Sequence, residues 1–136
     1  MKLVQFLLLI DDSLVIFLVT LLGIRFHQTD LAFFSRLPYT FLPFLVAWLS
    51  FAAVLRLYDS ATASALSQVW RIPVAAFLTA PIGAAARALW LGTPLIPIFV
   101  LVMGAAISAG ILISRGAFIL AFASNWSKTE KWKKNN

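Results

Sequence analysis

Four apolar runs separated by short polar breaks organise the chain. The first extends from Leu3 to about Ile24 and ends at Arg25, His27, Gln28 and Asp30. The second goes from about Thr40 to Leu57 and closes on Tyr58 and Asp59; the third covers Val69 to Leu91, and the fourth Ile96 to about Ala123. Each approaches the roughly 20 residues with which an α-helix crosses a hydrocarbon core about 30 Å thick. The pattern predicts an all-α integral membrane four-helix bundle. One transmembrane domain over 1–124, with helices at about 3–25, 40–58, 69–91 and 95–123, is followed by a basic tail at 125–136.

The breaks have their own chemistry. Residues 31–39 contain Phe33, Phe34 and Pro38, which reads as a segment lying at the membrane surface and broken by the proline. Pro43 falls in the first turn of helix two, where a missing amide costs little. Ser60 to Gln68 is small and polar, a loop, and Gly92-Thr93-Pro94 a tight turn. Pro73 opens helix three and Pro81 bends it near its middle.

Composition excludes a soluble domain: 62% of the 136 residues are hydrophobic and 12% charged, against roughly 45–50% and about 25% in ordinary globular chains. With no Cys there are no disulfides, thiolate metal sites or thiol nucleophiles. A net charge of +6 raises the question of nucleic acid, but four of the eleven cations fall in the last nine residues and the rest mark helix ends. No nucleic-acid partner is expected. Asp11 and Asp12 interrupt the first run and no small-residue cleavage site follows, so the first helix is expected to be retained rather than removed as a signal peptide.

With four spans both termini share a face. Lys2, Arg56, Arg71, Lys128, Lys131, Lys133 and Lys134 fall on it, against Arg25, Arg36 and Arg87 on the other, which places both termini in the cytoplasm. That bias disfavours a dual-topology antiparallel dimer. A multi-pass protein of the cell membrane is expected, an internal photosynthetic membrane being the other location the composition suits. The tail is expected to be mobile or to meet anionic lipid headgroups.

Helix one carries the strongest anomaly. Sixteen apolar residues at about −0.3 to −0.6 kcal/mol each oppose two aspartates at about +2.5 to +3.5 kcal/mol each, a balance near zero. At 100° per residue Asp12, Ile16, Thr20, Gly23 and His27 share an arc of about 80°, whereas Asp11 lies about 100° from Asp12, beside Val15, Leu18 and Leu22. Asp12 is therefore the inward carboxylate. Arg115 is the matching anomaly in helix four, about 8–10 Å to the cytoplasmic side of its centre, while Asp12 lies about 2 Å to that side of its own. An Asp12–Arg115 pair removes two desolvation costs at once; the alternative is that Arg115 snorkels to headgroups.

Asp12, Thr20, His27 and Arg115 thus form one expected buried polar site, and Arg25, Asp30 and Arg87 a possible second cluster. A lone His at a membrane edge reads first as an interfacial residue, so no metal and no cofactor are expected. The five Trp and two Tyr read mostly as interface anchors, among them Trp70, Trp90, Trp126 and Tyr58. Small residues, with Gly23, Gly83, Gly104, Ser108 and Gly110 foremost, are expected to let helices approach closely, within this chain or across a dimer.

The chain resembles domain of unknown function 3054, a family of small prokaryotic membrane proteins. The resemblance rests on Asp12, on Phe17 to His27 with Gly23 and Arg25, on Pro43 with Phe44 and Trp48, on Leu57 with Tyr58, and on Trp70, Pro73, Pro81, Gly83 and Arg87. It covers nearly the whole chain up to the basic tail and implies four helices without a known activity.

Two functional readings stand beside it. One is a small transport-related or proton-linked component built around Asp12. The other is a noncatalytic assembly or interaction subunit of a larger membrane complex, with Asp12 and Arg115 holding the bundle together. An enzyme is not expected: with no Cys, one His and one Glu, no nucleophile and base converge. Four short helices enclose little space, so a transport pathway is expected to need a homo-oligomer.

Overall fold

The computed structural model describes residues 3–27, 32–59 and 66–135, with side chains at all of these except 27, 32, 33 and 121–135. Four helices make up most of it: α1 (Leu3–His27), α2 (Ala32–Val54), α3 (Arg71–Leu91) and α4 (Pro97–Asn135), with a 3-10 turn at Leu66–Gln68 ahead of α3. Each is long and apolar enough to cross a membrane.

Residue pairs fix the arrangement. Asp12 meets Trp48 and Phe17 meets Phe41 edge-on, so α2 runs antiparallel to α1. Thr40 bonds Arg87 while Phe44 lies against Gly83, which sets α3 antiparallel to α2. Phe77 and Ala80 face Gly104, and Arg87 lies over Phe99, reversing α4 against α3. Asp12 with Arg115 and Val15 with Gly110 close α4 onto α1. The helices form an up-and-down ring, and the start of α1 and the end of α4 lie at one end of it.

The core is built from large side chains laid against small ones. Phe44, Trp48, Ile16, Ile107 and Ile111 are fully buried and share one core cluster with Ala75 and Ala76 of α3. A Cβ on Gly83 would stand 2.8 Å from Phe44 Cδ1, and one on Gly110 would stand 2.7 Å from Val15 Cγ1. These glycines, with Gly104 and the buried Ser108, serve packing inside the chain. Gly23 does not: among the described residues nothing lies within 4 Å of where its Cβ would be. Leu7, Leu14, Leu18 and Leu22 of α1 face outward, as do Ile82 and Ile113, an exterior compatible with a membrane protein.

Helix ends differ from the expected ones. Residues 32–39 are not a separate surface segment, because α2 starts at Ala32 and runs through both Pro38 and Pro43. In a segment this apolar, stopping the helix would strand several backbone carbonyls, whereas each proline removes one bond. α3 is likewise continuous through Pro81. α4 continues to Asn135, past the end near Ala123 that the apolar run predicts. No Gly or Pro follows Gly116, and the late lysines favour the negative end of the helix dipole.

α2 stops in a Schellman turn. Leu57 N–H donates to Ala52 C=O at 2.9 Å and Arg56 N–H to Ala53 C=O at 3.1 Å, with Arg56 left-handed at a φ of 54°. The turn sends Leu57 into the core and brings Tyr58 back over the bundle. At the far end Gly92 (φ 62°) closes α3 in the same left-handed region.

Candidate functional site

On α1 the residues at every fourth position, Leu8, Asp12, Ile16 and Thr20, form one buried stripe. Asp12 is fully buried and meets Arg115, 4% exposed, side-on: Arg115 Nη2 donates to Oδ2 at 2.9 Å and Nε to Oδ1 at 3.3 Å. Oδ2 also accepts from Tyr58 OH at 2.9 Å and Trp48 Nε1 at 3.2 Å. Arg115 Nη1 donates to Leu57 C=O at 3.3 Å, and the guanidinium lies 5.6 Å from the Tyr58 ring centroid. The cluster therefore ties α1, α2, the turn after α2 and α4 together at one end of the bundle. One carboxylate with four donors is a low-dielectric ion pair with its lone pairs used.

Asp11, half-buried, accepts a hydrogen bond from Ser114 Oγ. Consecutive residues of α1 thus bind consecutive residues of α4, and Asp11 is not left on an apolar face.

The remaining expected site residues separate. Thr20 stands two turns from Asp12, about 12 Å along the axis, and is not part of the ion-pair cluster. Its hydroxyl is buried with no hydrogen-bond partner among the described residues. The side chain of His27, and Asp30 altogether, lie outside the described residues. Arg25 is exposed, and among the described residues Arg87 joins neither it nor a carboxylate: Arg87 Nε donates to Thr40 Oγ1 at 3.0 Å and its guanidinium lies 5.1 Å from the Phe99 ring. Thr40 in turn donates to Arg36 C=O at 3.2 Å.

Thr20, Thr40, Arg36 and Arg87 line a cavity of about 350 Å³ at the end of the bundle opposite the ion pair. Ile24, Phe99, Val102 and Met103 form apolar wall. All four helices of the chain contribute to its lining. Among the described residues no three His, Asp or Glu come together as metal donors.

Sequence reasoning missed Trp48 and Tyr58 at the ion pair, because aromatic residues read mostly as interface anchors, and Arg36 and Thr40 at the cavity. Trp48 carried a usable signal: it stands inside an apolar run, where an indole N–H needs an acceptor. Trp70 and Trp90 are exposed, as anchors are; the side chain of Trp126 is not among those described.

Over residues 9–118 the chain matches the family described as protein of unknown function (DUF3054). It belongs to that family. No match was found among the curated proteins or among the solved structures. DUF3054 membership agrees with the four-helix architecture and carries no activity with it. The matched span includes Asp12, Trp48, Tyr58 and Arg115, and both ends of the polar interior.

Proposed function

We propose that the chain is a small, noncatalytic, transport-related component of the cell membrane, with both termini in the cytoplasm. Its chamber opens away from the cytoplasm and its cytoplasmic end is shut by the Asp12–Arg115 pair. One observation carries the reading: the two polar ends lie on the same helix faces with a buried, predominantly apolar layer between them. Ile16 stands between Thr20 and Asp12 on α1, Phe44 between Thr40 and Trp48 on α2, and Ile107 between Met103 and Arg115 on α4, each fully buried. A chamber at one end, a packed barrier and an ion-paired closure are the parts of a carrier reached from one side. Protonating Asp12 would remove the Coulombic hold on Arg115, which makes opening proton-linked. The lysines at 128–134 lie on the last turns of α4 and would hold anionic headgroups at the cytoplasmic face.

The absence of Cys makes the test direct. Ala88→Cys, in the chamber, should react with a membrane-impermeant maleimide only from the outer side of oriented vesicles. Ala52→Cys, near the ion pair, should be inert in the wild-type background and react from the cytoplasmic side once Asp12→Asn is added. The double change Asp12→Asn/Arg115→Gln serves where the single one lowers folding. Labelling of Ala88→Cys from the cytoplasm, or an Ala52→Cys that stays inert in a folded double variant, refutes the carrier. The latter result points to a fixed assembly subunit.

A further inference from the structure

We infer that the cavity between Thr20, Arg36, Thr40 and Arg87 binds a monoanionic amphiphile: a carboxylate or phosphate oxyanion attached to an apolar chain. The inference names the ligand class for the chamber of the proposed carrier and rests on that reading only for its place in transport. Two guanidinium groups line the cavity and, among the described residues, no carboxylate does. Arg36 is exposed at the rim and Arg87 half-buried further in, where among the described residues it is held by Thr40 and Phe99 and by no acid. Two like charges facing one apolar-walled space repel each other, and an oxyanion between them turns the repulsion into two charge-assisted hydrogen bonds.

Thr20 adds an independent observation. The residue is 1% exposed and lines the cavity, and its buried hydroxyl has no partner among the described residues. A buried hydroxyl without a partner is an unmet polar group that a ligand oxygen can satisfy. Thr40 cannot substitute, because it already accepts from Arg87 and donates to Arg36.

The rest of the lining gives the ligand its second half. Leu95, Ile98, Val102 and Met103 add apolar surface to the lining, beside the Phe99 ring on which Arg87 rests. An inorganic anion would leave that wall unused, and a neutral lipid would leave the guanidiniums without a counter-charge. At about 350 Å³ the space is at the small end for ligand sites and suits one headgroup with a short length of chain. The oxyanion can come from a membrane lipid or from a free amphiphile in solution.

The full chain in a neutral detergent, titrated by native mass spectrometry, separates these cases. Decanoate, phosphatidylglycerol, decanol and inorganic phosphate are the probes. One equivalent of decanoate or phosphatidylglycerol should bind, with decanol and phosphate roughly tenfold weaker or more. Arg36→Gln and Arg87→Gln should each weaken the anion roughly tenfold, and Arg25→Gln, exposed and outside the cavity, should not. Because Arg36 is exposed, its variant decides the matter if Arg87→Gln melts early. Binding of phosphatidylglycerol alone identifies a lipid source, and binding of decanoate alone a free one. Equal binding of decanol, equal binding of phosphate, or indifference to Arg36→Gln overturns the inference. One-sided labelling without decanoate or lipid binding would keep the chamber and refute this ligand; binding without the labelling change would do the reverse.

Discussion

Asp12 and Arg115 stand 103 positions apart in the chain and 2.9 Å apart in space. Each is a charge that a bundle of this composition could not bury alone. Together, with Trp48, Tyr58 and the Leu57 carbonyl, they form a satisfied polar knot around which α1, α2 and α4 meet.

Removing one partner leaves the other charged and dry. Asp12→Asn and Arg115→Gln should each lower stability by about 3–5 kcal/mol, measured by denaturation of the detergent-solubilised protein. The double change should cost clearly less than the sum, because neither charge then remains uncompensated. Strict additivity would show that the pair is not coupled.

Tyr58→Phe keeps the ring and deletes the donor to Asp12 Oδ2. A hydrogen bond to a charged group is involved, so the loss should be about 1.5–3 kcal/mol. If the Tyr58 variant melts with the wild type while Trp48→Phe does not, the indole alone supports the carboxylate on that side.

The left-handed residue after α2 is Arg56, where glycine is the usual choice. Relief of Cβ strain should outweigh the added freedom of the unfolded chain, so Arg56→Gly should raise stability by up to about 1 kcal/mol. Gly92→Ala imposes the same strain at the end of α3 and should lower it by about 1 kcal/mol. Midpoints of thermal or denaturant unfolding compare the two.

The glycines should rank by what their missing Cβ would meet. At Gly83 it would meet the Phe44 ring at 2.8 Å and the Phe44 backbone at 3.1 Å, which cannot give way, and Gly83→Ala should cost about 1–3 kcal/mol. Gly110→Ala presses on the tip of Val15 only and should cost less. Gly116→Ala, with nothing nearby, should gain about 0.5–1 kcal/mol of helix propensity. Melting curves of the three variants test the order.

What the sequence made legible follows from what periodicity encodes. Run length exposed all four helices, and the 100° step singled out Asp12 over Asp11 as the fully buried carboxylate. Angle, however, says nothing about height: Thr20 and Gly23 share the face of Asp12 but border a cavity two turns away. Arg87 was visible as a charge in a span, yet its partner Thr40 lay in a stretch read as a helix start. Pro38 read as a break because proline ends helices where water can take up the freed carbonyl. Trp48 and Tyr58 were hidden by the habit of aromatic residues to mark interfaces.

The wide separation of Asp12 from its counter-ion bears on biogenesis. When α1 leaves the ribosome, the guanidinium that neutralises its carboxylate has yet to be synthesised, and so has the Tyr58 hydroxyl. On the membrane-inserted reading proposed above, the first segment would wait in the insertion machinery until the last one arrives. Nascent chains cut before α4 are therefore expected to be caught by membrane quality control, and the bundle to lock only when translation is nearly finished.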